Sequence, residues 1–138
     1  MTGRPVPVPD TVSAPFWASC AEHVLSLPRC SRCQAFSFPP DVTCPKCHSP
    51  DPDFVFEPVP GGGQLRTWTV VRQSFLRGFE TPFVLADVEL DESTNVRMVA
   101  RLLDGLGANL AIGARVEVVF EDLAPGVAVP SFRMARNS

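Results

Sequence analysis

Four cysteines constrain the fold of this chain more than any other feature. Cys30 and Cys33 form one C-x-x-C pair and Cys44 and Cys47 form a second, with ten residues between the pairs. Each pair puts two thiolates on one tight turn, and two such turns facing each other form the sulfur tetrahedron that structural Zn²⁺ prefers. The spacing therefore predicts a zinc ribbon. An iron site of the rubredoxin kind uses the same spacing and is the alternative.

Two disulfides in a secreted domain would be another use of four cysteines. No signal-peptide pattern precedes them, and a fifth cysteine, Cys20, would be left unpaired in an oxidising compartment. The pattern therefore indicates metal binding in a cytoplasmic protein. We expect Cys20 to be a buried thiol rather than a nucleophile. His48, directly after Cys47, is either a partner of the zinc ligands or an ordinary surface histidine.

Length and charge limit the number of domains and the kinds of partner that this chain can have. The 138 residues suffice for one ordinary domain or two very small ones. The net charge of −3 lacks the strongly basic balance expected of a sequence-independent nucleic-acid binder. Because no apolar run approaches the length of a membrane-spanning helix, we expect no membrane association.

The first half of the chain divides into an extended tail, residues 1–12, and a helix with the zinc ribbon, residues 13–57. Alternating prolines keep the tail extended. Five apolar residues then recur at the spacing of one helix face, which Pro28 is expected to end: Phe16, Trp17, Cys20, Val24 and Leu25. The ribbon should contain a hairpin between the cysteine pairs and a third strand near residues 54–56.

A glycine-rich linker, residues 58–63, separates the ribbon from a region of strand-like alternation. Strands are predicted at 64–74, 83–90, 96–103, 115–121 and 131–135, and in the first of them Leu65 is placed on the side opposite Trp68 and Val70. Five short strands without a long helix favour a closed antiparallel barrel, and the five-stranded OB-fold over residues 64–138 fits best. The predicted fold is mainly β: an N-terminal helix, a rubredoxin-like zinc ribbon and a C-terminal OB-fold.

The order of several motifs resembles a known family. After the cysteine pairs come a glycine-rich step at 61–63, the segment Thr67-Trp68-Thr69-Val70, the segment 82–91 (PFVLADVELD), and Ile112-Gly113 followed by alternating Val116, Val118 and Phe120. This order is similar to prokaryotic proteins, long labelled a domain of unknown function, that join an N-terminal helix and a rubredoxin-like zinc ribbon to an OB-fold. One departure is Ser93-Thr94-Asn95, where family members often have a glycine.

The resemblance implies a function that composition does not. Such proteins accompany thiolase-like enzymes of acyl-CoA metabolism: steroid side-chain retro-aldolases, acyltransferases and, in some cases, hydratase-like partners. The OB-fold is taken to bind or channel acyl-CoA, and the thiolase-like partner carries the catalytic residues. We therefore expect a non-catalytic acyl-CoA-binding or scaffolding subunit.

Candidate ligand and partner contacts follow from that expectation. Arginine forks can hold the phosphates of CoA, and exposed rings can stack on its adenine; the candidates are Arg66, Trp68, Arg72, Phe75, Arg77, Arg97, Arg101 and Arg133. Phe16 and Trp17 are the candidate anchors for a thiolase-like protein, because large aromatic side chains are frequent at interface centres.

Two other functions compete with this interpretation. Zinc ribbons and OB-folds also bind single-stranded nucleic acid, although the charge balance disfavours it. An independent enzyme is the third possibility. The sequence offers no Ser-His-Asp or Cys-His arrangement, and both histidines, His23 and His48, precede the barrel. Four ribbon thiolates would also leave no open coordination position for hydrolytic zinc.

Overall fold

The computed structural model describes residues 3–136, in which one short helix precedes seven strands. The elements are α1 (Ala14–Ala21), β1 (Leu25–Arg29), β2 (Val55–Val59), β3 (Gly62–Val71), β4 (Phe83–Leu90), β5 (Arg97–Leu102), a 3₁₀ turn (Gly105–Gly107), β6 (Arg115–Ala124) and β7 (Val127–Met134). β1 and β2 form a two-stranded sheet, and the other five strands close into a barrel in the order β3-β4-β5-β7-β6. The predicted mainly-β fold with a five-stranded OB barrel is confirmed.

Helix α1 is shorter than predicted. Asp10 organises its start, because its carboxylate accepts hydrogen bonds from the backbone N–H of Val12 (3.1 Å) and Ser13 (2.7 Å). The helix ends at Ala21, and His23 then adopts a left-handed conformation with φ 59°. The chain turns there, so Val24 and Leu25 lie outside the helix. Pro28, predicted to end the helix, instead lies inside β1.

The ribbon contains one pair of strands rather than a separate hairpin between the cysteine pairs. β1 pairs with β2 antiparallel, from Leu25 opposite Val59 to Arg29 opposite Val55, so β2 occupies the place of the predicted third strand. Between the cysteine pairs the structure has only an isolated bridge, Phe36 to Arg29. Pro39 and Pro40 follow closely, and prolines have no N–H to extend a ladder.

The barrel closes by pairing β3 with β6, where Gly62–Gln64 lies antiparallel to Arg115–Glu117. β4 has the predicted bounds, 83–90, and alternates buried and half-buried residues along its whole length. β7 begins at Val127 rather than 131, because the turn at Pro125-Gly126 is tight enough for Ala124, the last residue of β6, to pair with Val127.

A β-bulge at Arg66 corrects the predicted facing of β3. Leu65 lies opposite Val88, but Thr67 lies opposite Asp87, so the register shifts between them. Without the bulge Leu65 and Trp68 would point to opposite sides. With it Leu65 is fully buried and Trp68 packs against the same core.

The helix and β1 pack directly on the barrel, and all share one apolar core. Phe16 and Cys20 of α1 join Leu25 and Leu27 of β1 in the cluster that fills the barrel interior. Only Pro60 and Gly61 separate β2 from β3, so the predicted linker at 58–63 overlaps the end of one strand and the start of the next.

Gly61 makes this junction tight. Its φ is +83°, and a Cβ atom there would lie 2.1 Å from Cγ1 of Val118. Its carbonyl also accepts a hydrogen bond from the N–H of Val118 at 2.9 Å. The glycine therefore permits close packing of the ribbon on the barrel. Within residues 3–136, no helix has the length and apolar character needed to cross a membrane.

Candidate functional site

The four predicted metal ligands converge on one point. Cys30 Sγ lies 3.8 Å from Cys47 Sγ, and Cys33 Sγ lies 3.7 Å from Cys44 Sγ. All four sulfurs lie within 4.8 Å of one another. Zinc–sulfur bonds of about 2.3 Å in a regular tetrahedron put the sulfurs about 3.8 Å apart, so the arrangement fits one tetrahedral ion held by four thiolates.

The two C-x-x-C turns have the same backbone design. In the first, the N–H of Gln34 donates to the carbonyl of Cys30 at 2.8 Å; in the second, the N–H of His48 donates to the carbonyl of Cys44 at 2.9 Å. Both residues are left-handed, with φ 67° for Gln34 and 61° for His48. A non-glycine residue rarely adopts this conformation without support. His48 thus has a backbone role that the sequence did not reveal.

Backbone N–H groups inside each turn point at sulfur. The N–H of Arg32 donates to Cys30 Sγ at 3.3 Å, and those of Lys46 and Cys47 donate to Cys44 Sγ at 3.4 Å. The N–H of Cys47, then that of Lys46, lowers the pKa of the Cys44 thiol to about 6 against the opposing effect of burial. Hydrogen bonds to the charged form favour it, so the turn is built to hold a thiolate.

This site can stabilise structure but offers little for catalysis. Four thiolates complete a tetrahedral shell and leave no position for water or substrate. Arg32 and Lys46 occupy equivalent positions in the two turns, next to a centre in which four thiolates around a divalent ion would carry about two negative charges. Zinc and iron both suit the four sulfurs.

Cys20 is not part of this site. It is fully buried in the core, and burial raises the pKa of its thiol to about 12. A thiol that stays protonated is a poor nucleophile, and the predicted burial of Cys20 is confirmed.

The predicted arginine set divides into two groups. Three arginines bridge to carboxylates on the outside of the barrel: Arg97 to Asp87, Arg101 to Glu121 at 2.9 Å, and Arg133 to Glu117 at 2.7 Å. These guanidinium groups mainly tie strands together. A ligand phosphate would have to compete with the carboxylates for them.

The second group consists of Arg66, at the bulge in β3, and of Arg72 and Arg77 in the loop after β3. Arg66, Arg72 and Arg77 are exposed, and within residues 3–136 none of the three has an ion pair. Phe75, in the same loop, is 91% exposed, while Trp68 is half-buried against the core. Of the predicted acyl-CoA residues, these three arginines and Phe75 are therefore the ones that are open to a ligand.

Phe16 and Trp17 have different environments. Phe16 is only 3% exposed and its ring centroid lies 5.2 Å from that of Phe38, so Phe16 packs mainly in the core. Trp17 is half-buried and lines an apolar groove of about 360 Å³ between helix, ribbon and barrel, with Pro39, Pro40 and Val99. Phe16 also lines this groove, and of the two predicted partner residues Trp17 is the more exposed.

Two contacts join distant parts of the chain and were not predicted. His23 is half-exposed, and its Nε2 lies 2.8 Å from Asp122 Oδ1 while its ring stacks on Phe120. Arg4, in the predicted extended tail, is 8% exposed and lies 3.5 Å from Glu121. Neither contact has a local sequence signal, because each partner is about a hundred residues away.

Comparisons with known proteins agree with this architecture. Residues 17–53 match the family description "ChsH2, rubredoxin-like zinc ribbon domain", and residues 56–121 match "ChsH2, C-terminal OB-fold domain". A protein of Thermomonospora curvata named "Probable enoyl-CoA hydratase alpha subunit" is 32% identical over 132 residues. That match covers 96% of this chain but only 40% of the relative's length.

Two solved structures have the same fold. A chain of the structure titled "Ltp2-ChsH2(DUF35) aldolase" is 29% identical, with a TM-score of 0.80 over 93% of this chain and 98% of that chain. A protein of unknown function from Sulfolobus solfataricus, described as a member of the DUF35 family, has a TM-score of 0.60 at 12% identity, over 91% of this chain and 86% of that one. The second match supports the fold alone.

Proposed function

Because the chain belongs to the ChsH2-type family, in which a rubredoxin-like zinc ribbon precedes an OB-fold domain, we propose that it is a non-catalytic subunit of an acyl-CoA enzyme complex. In that complex it binds the acyl-CoA and positions it for a thiolase-like aldolase or acyltransferase, which carries out the chemistry. Its four ribbon thiolates hold a structural Zn²⁺.

One observation carries this proposal. The chain aligns over nearly all of its length, and over 98% of the other chain, with a component of a two-protein aldolase. The two names, Ltp2 and ChsH2, describe an assembly, and this chain has the length and fold of one of its components. The relative from Thermomonospora curvata is also named as a subunit.

The side-chain chemistry within residues 3–136 supports an accessory role. The metal shell is complete, and the buried Cys20 is protonated at neutral pH. His23 pairs with Asp122, as a catalytic base would with its orienting carboxylate. Among residues 3–136, however, no serine, threonine or cysteine side chain donates a hydrogen bond to His23. A nucleophile is therefore missing from this pair.

The β3–β4 loop, residues 72–82, supports the binding of acyl-CoA. Arg72 and Arg77 flank the exposed Phe75 and Leu76 within six residues. Guanidinium groups suit phosphate, and an exposed ring suits adenine. CoA carries both phosphates and an adenine, and we propose that this loop binds them.

The experiment compares the chain alone, the thiolase-like protein from the same genome alone, and the two together. Retro-aldol cleavage of a side-chain acyl-CoA is the readout, and light scattering measures the complex. We expect activity only from the mixture. Cleavage by the isolated chain would disprove the accessory role, and full activity of the partner alone would show that the chain is not required.

Trp17→Ala tests the partner surface. We expect it to weaken association about tenfold while the metal content is unchanged, because Trp17 lines an open groove away from the sulfurs. Trp68→Ala is the matched control, since Trp68 packs on the barrel core and is not predicted to reach the partner. Equal loss of association in both variants would indicate a general effect on folding.

A second candidate is a subunit of an enoyl-CoA hydratase, which the name of the Thermomonospora curvata relative favours. That relative is more than twice as long as the matched region, so its name describes a protein with additional segments. Hydration of an enoyl-CoA by the chain together with a hydratase-like protein, but not with a thiolase-like one, would favour this candidate.

Nucleic-acid binding is less consistent with the surface, because seven arginines within residues 3–136 are already paired with carboxylates.

A further inference from the structure

The β3–β4 loop, residues 72–82, contacts the barrel through the ring of Phe79. Nine residues of this loop are exposed, and Ser74 and Phe79 are the two that are not. The hydroxyl of Ser74 serves the loop itself, since it donates to the carbonyl of Leu76 at 3.1 Å and accepts from the N–H of Leu76 at 3.2 Å. Phe79 is therefore the large side chain of the loop that packs against other parts of the molecule.

Phe79 lies against a second ring and a guanidinium group. Its ring stacks on that of Phe83, the first residue of β4, with the centroids 5.9 Å apart. The guanidinium carbon of Arg4 lies 5.2 Å from the centroid of Phe79, and Arg4 is buried. A guanidinium that is shielded from water attracts the face of a ring more strongly than an exposed one. The contact with Arg4 can therefore hold the loop against the barrel.

Glu121 connects this contact to the body of the barrel. Its Oε1 lies 3.5 Å from Nη1 of Arg4. The same carboxylate accepts hydrogen bonds from Arg101 at 2.9 Å and from the hydroxyl of Ser131. Arg101 in turn lies over the ring of Phe83, 5.2 Å from its centroid. Phe79 is thus connected through Arg4 and Phe83 to side chains of β5, β6 and β7.

The residues proposed to bind CoA lie close to this contact along the chain. Arg77 is two residues before Phe79, so the Cα atoms of the two lie within about 7 Å of each other. Gly78, between them, has a φ of +88°, a conformation that favours glycine. A loop that is ordered before binding loses less conformational entropy when its ligand binds. A fixed Phe79 therefore restricts Arg77 before the ligand binds.

We propose that Arg4 and Phe79 are positioning residues, whose contact holds the β3–β4 loop in the conformation that binds acyl-CoA. Arg72, Phe75 and Arg77 contact the ligand. Arg4 and Phe79 act through them, because the apparent affinity falls with the fraction of molecules whose loop is in the binding conformation. The identity of the ligand rests on the proposed function, whereas the attachment of the loop does not.

The test uses Arg4→Gln in the full chain, with octanoyl-CoA as the probe and calorimetry as the readout. Binding should weaken by about three- to tenfold, because the ligand must then order the loop itself. Glu121 keeps Arg101 and Ser131 as partners, so the substitution leaves no unpaired carboxylate. Arg4→Lys should bind within about twofold of wild type, since an ammonium group also interacts with a ring and a carboxylate. Unchanged binding in Arg4→Gln, or no recovery in Arg4→Lys, would overturn the positioning role.

Two further variants assign the effect to the contact with Phe79. Phe79→Leu should weaken binding as much as Arg4→Gln, and the double variant should be no weaker than either, because both remove the same contact. Additive losses would show that the two residues act separately. Arg29→Gln is the matched control, since Arg29 also contacts a phenylalanine ring and a glutamate, but in the ribbon. It should leave the affinity unchanged.

Heteronuclear NOE measurements on residues 75–80 give a readout that is independent of the ligand. The NOE values of these residues should fall in Arg4→Gln and stay high in the wild type and in Arg29→Gln, whereas those of residues 84–90 in β4 should not change. A merely structural role would lower the midpoint of urea unfolding without loosening the loop of the folded protein. A loop as ordered in Arg4→Gln as in the wild type would therefore refute the attachment.

Failure of the proposed function gives a different pattern. If the wild type does not bind octanoyl-CoA, the acyl-CoA function fails, and the NOE values alone decide whether Arg4 holds the loop. A loop that loosens in Arg4→Gln would support the attachment while excluding acyl-CoA as its purpose. If the wild type binds and the loop loosens in Arg4→Gln without any loss of affinity, the proposed function stands and the positioning role fails.

Discussion

The ribbon and the barrel are stabilised in different ways. The barrel encloses a continuous set of buried apolar side chains, from Leu65 in β3 to Phe132 in β7. In the ribbon, residues 31–59 contain only three buried residues, Ser37, Cys44 and Pro52. A segment that buries so little apolar surface cannot offset the entropy of ordering its backbone. The comparison indicates that metal coordination replaces a core in the ribbon, whereas the barrel folds by burial.

The largest expected effect is on the ribbon. Cys44→Ser removes one of four thiolates, and since structural zinc sites contribute about 10–16 kcal/mol of apparent binding free energy, we expect loss of the metal and unfolding of residues 30–54. The barrel should keep its strands. Metal content by mass spectrometry and the amide spectrum of each region measure the two outcomes separately.

Cys20→Ser is the control for this experiment, because Cys20 is a buried cysteine outside the sulfur cluster. It should keep a full complement of metal and lose about 1–3 kcal/mol of stability from a buried hydroxyl. A ribbon that stays folded without metal in Cys44→Ser would show that the ribbon does not depend on coordination.

The next largest effect is on the barrel. Phe132 has the largest of the fully buried side chains, and its truncation to alanine should cost about 3–5 kcal/mol through lost burial and a residual cavity. Urea unfolding followed by far-ultraviolet circular dichroism measures this loss. If the two regions are stabilised independently, the metal content of the folded protein should not change. Release of metal from folded Phe132→Ala would instead show that the barrel core supports the site.

The junction between the two regions gives the third prediction. Gly61→Ala combines a positive φ with a Cβ that would overlap Val118, so we expect a loss of about 2–4 kcal/mol in thermal or urea unfolding. Gly126→Ala has a similar φ of 73° in open space and should cost only about 1 kcal/mol. Adding Val118→Ala should recover part of the loss for Gly61→Ala. Equal losses at the two glycines would mean that ribbon and barrel do not pack closely there.

The difference between the regions also explains what the sequence could predict. The metal ligands were evident because C-x-x-C spacing is local, and β4 was placed correctly because its alternation is unbroken. The end of α1, the bulge at Arg66 and the buried Arg4 were not evident. Each depends on a backbone conformation of an ordinary residue or on a partner far along the chain. Periodicity carries no information about either, so the surface contacts of the barrel were harder to predict than the positions of the four cysteines.

The smallest expected effect distinguishes backbone from side chain within the ribbon. His48 is left-handed, and a glycine in that conformation avoids a strain of about 1 kcal/mol. His48→Gly should therefore raise the resistance of the metal to a competing chelator slightly, by about two- to fivefold. Gln34→Gly should gain less, because the side chain of Gln34 also donates to the carbonyl of Ser31 at 3.1 Å. Lys46→Gly, at a position without positive φ, should gain nothing. Faster metal loss from His48→Gly would show that the imidazole itself supports the thiolates, and the ribbon would then depend on a side chain beyond its four sulfurs.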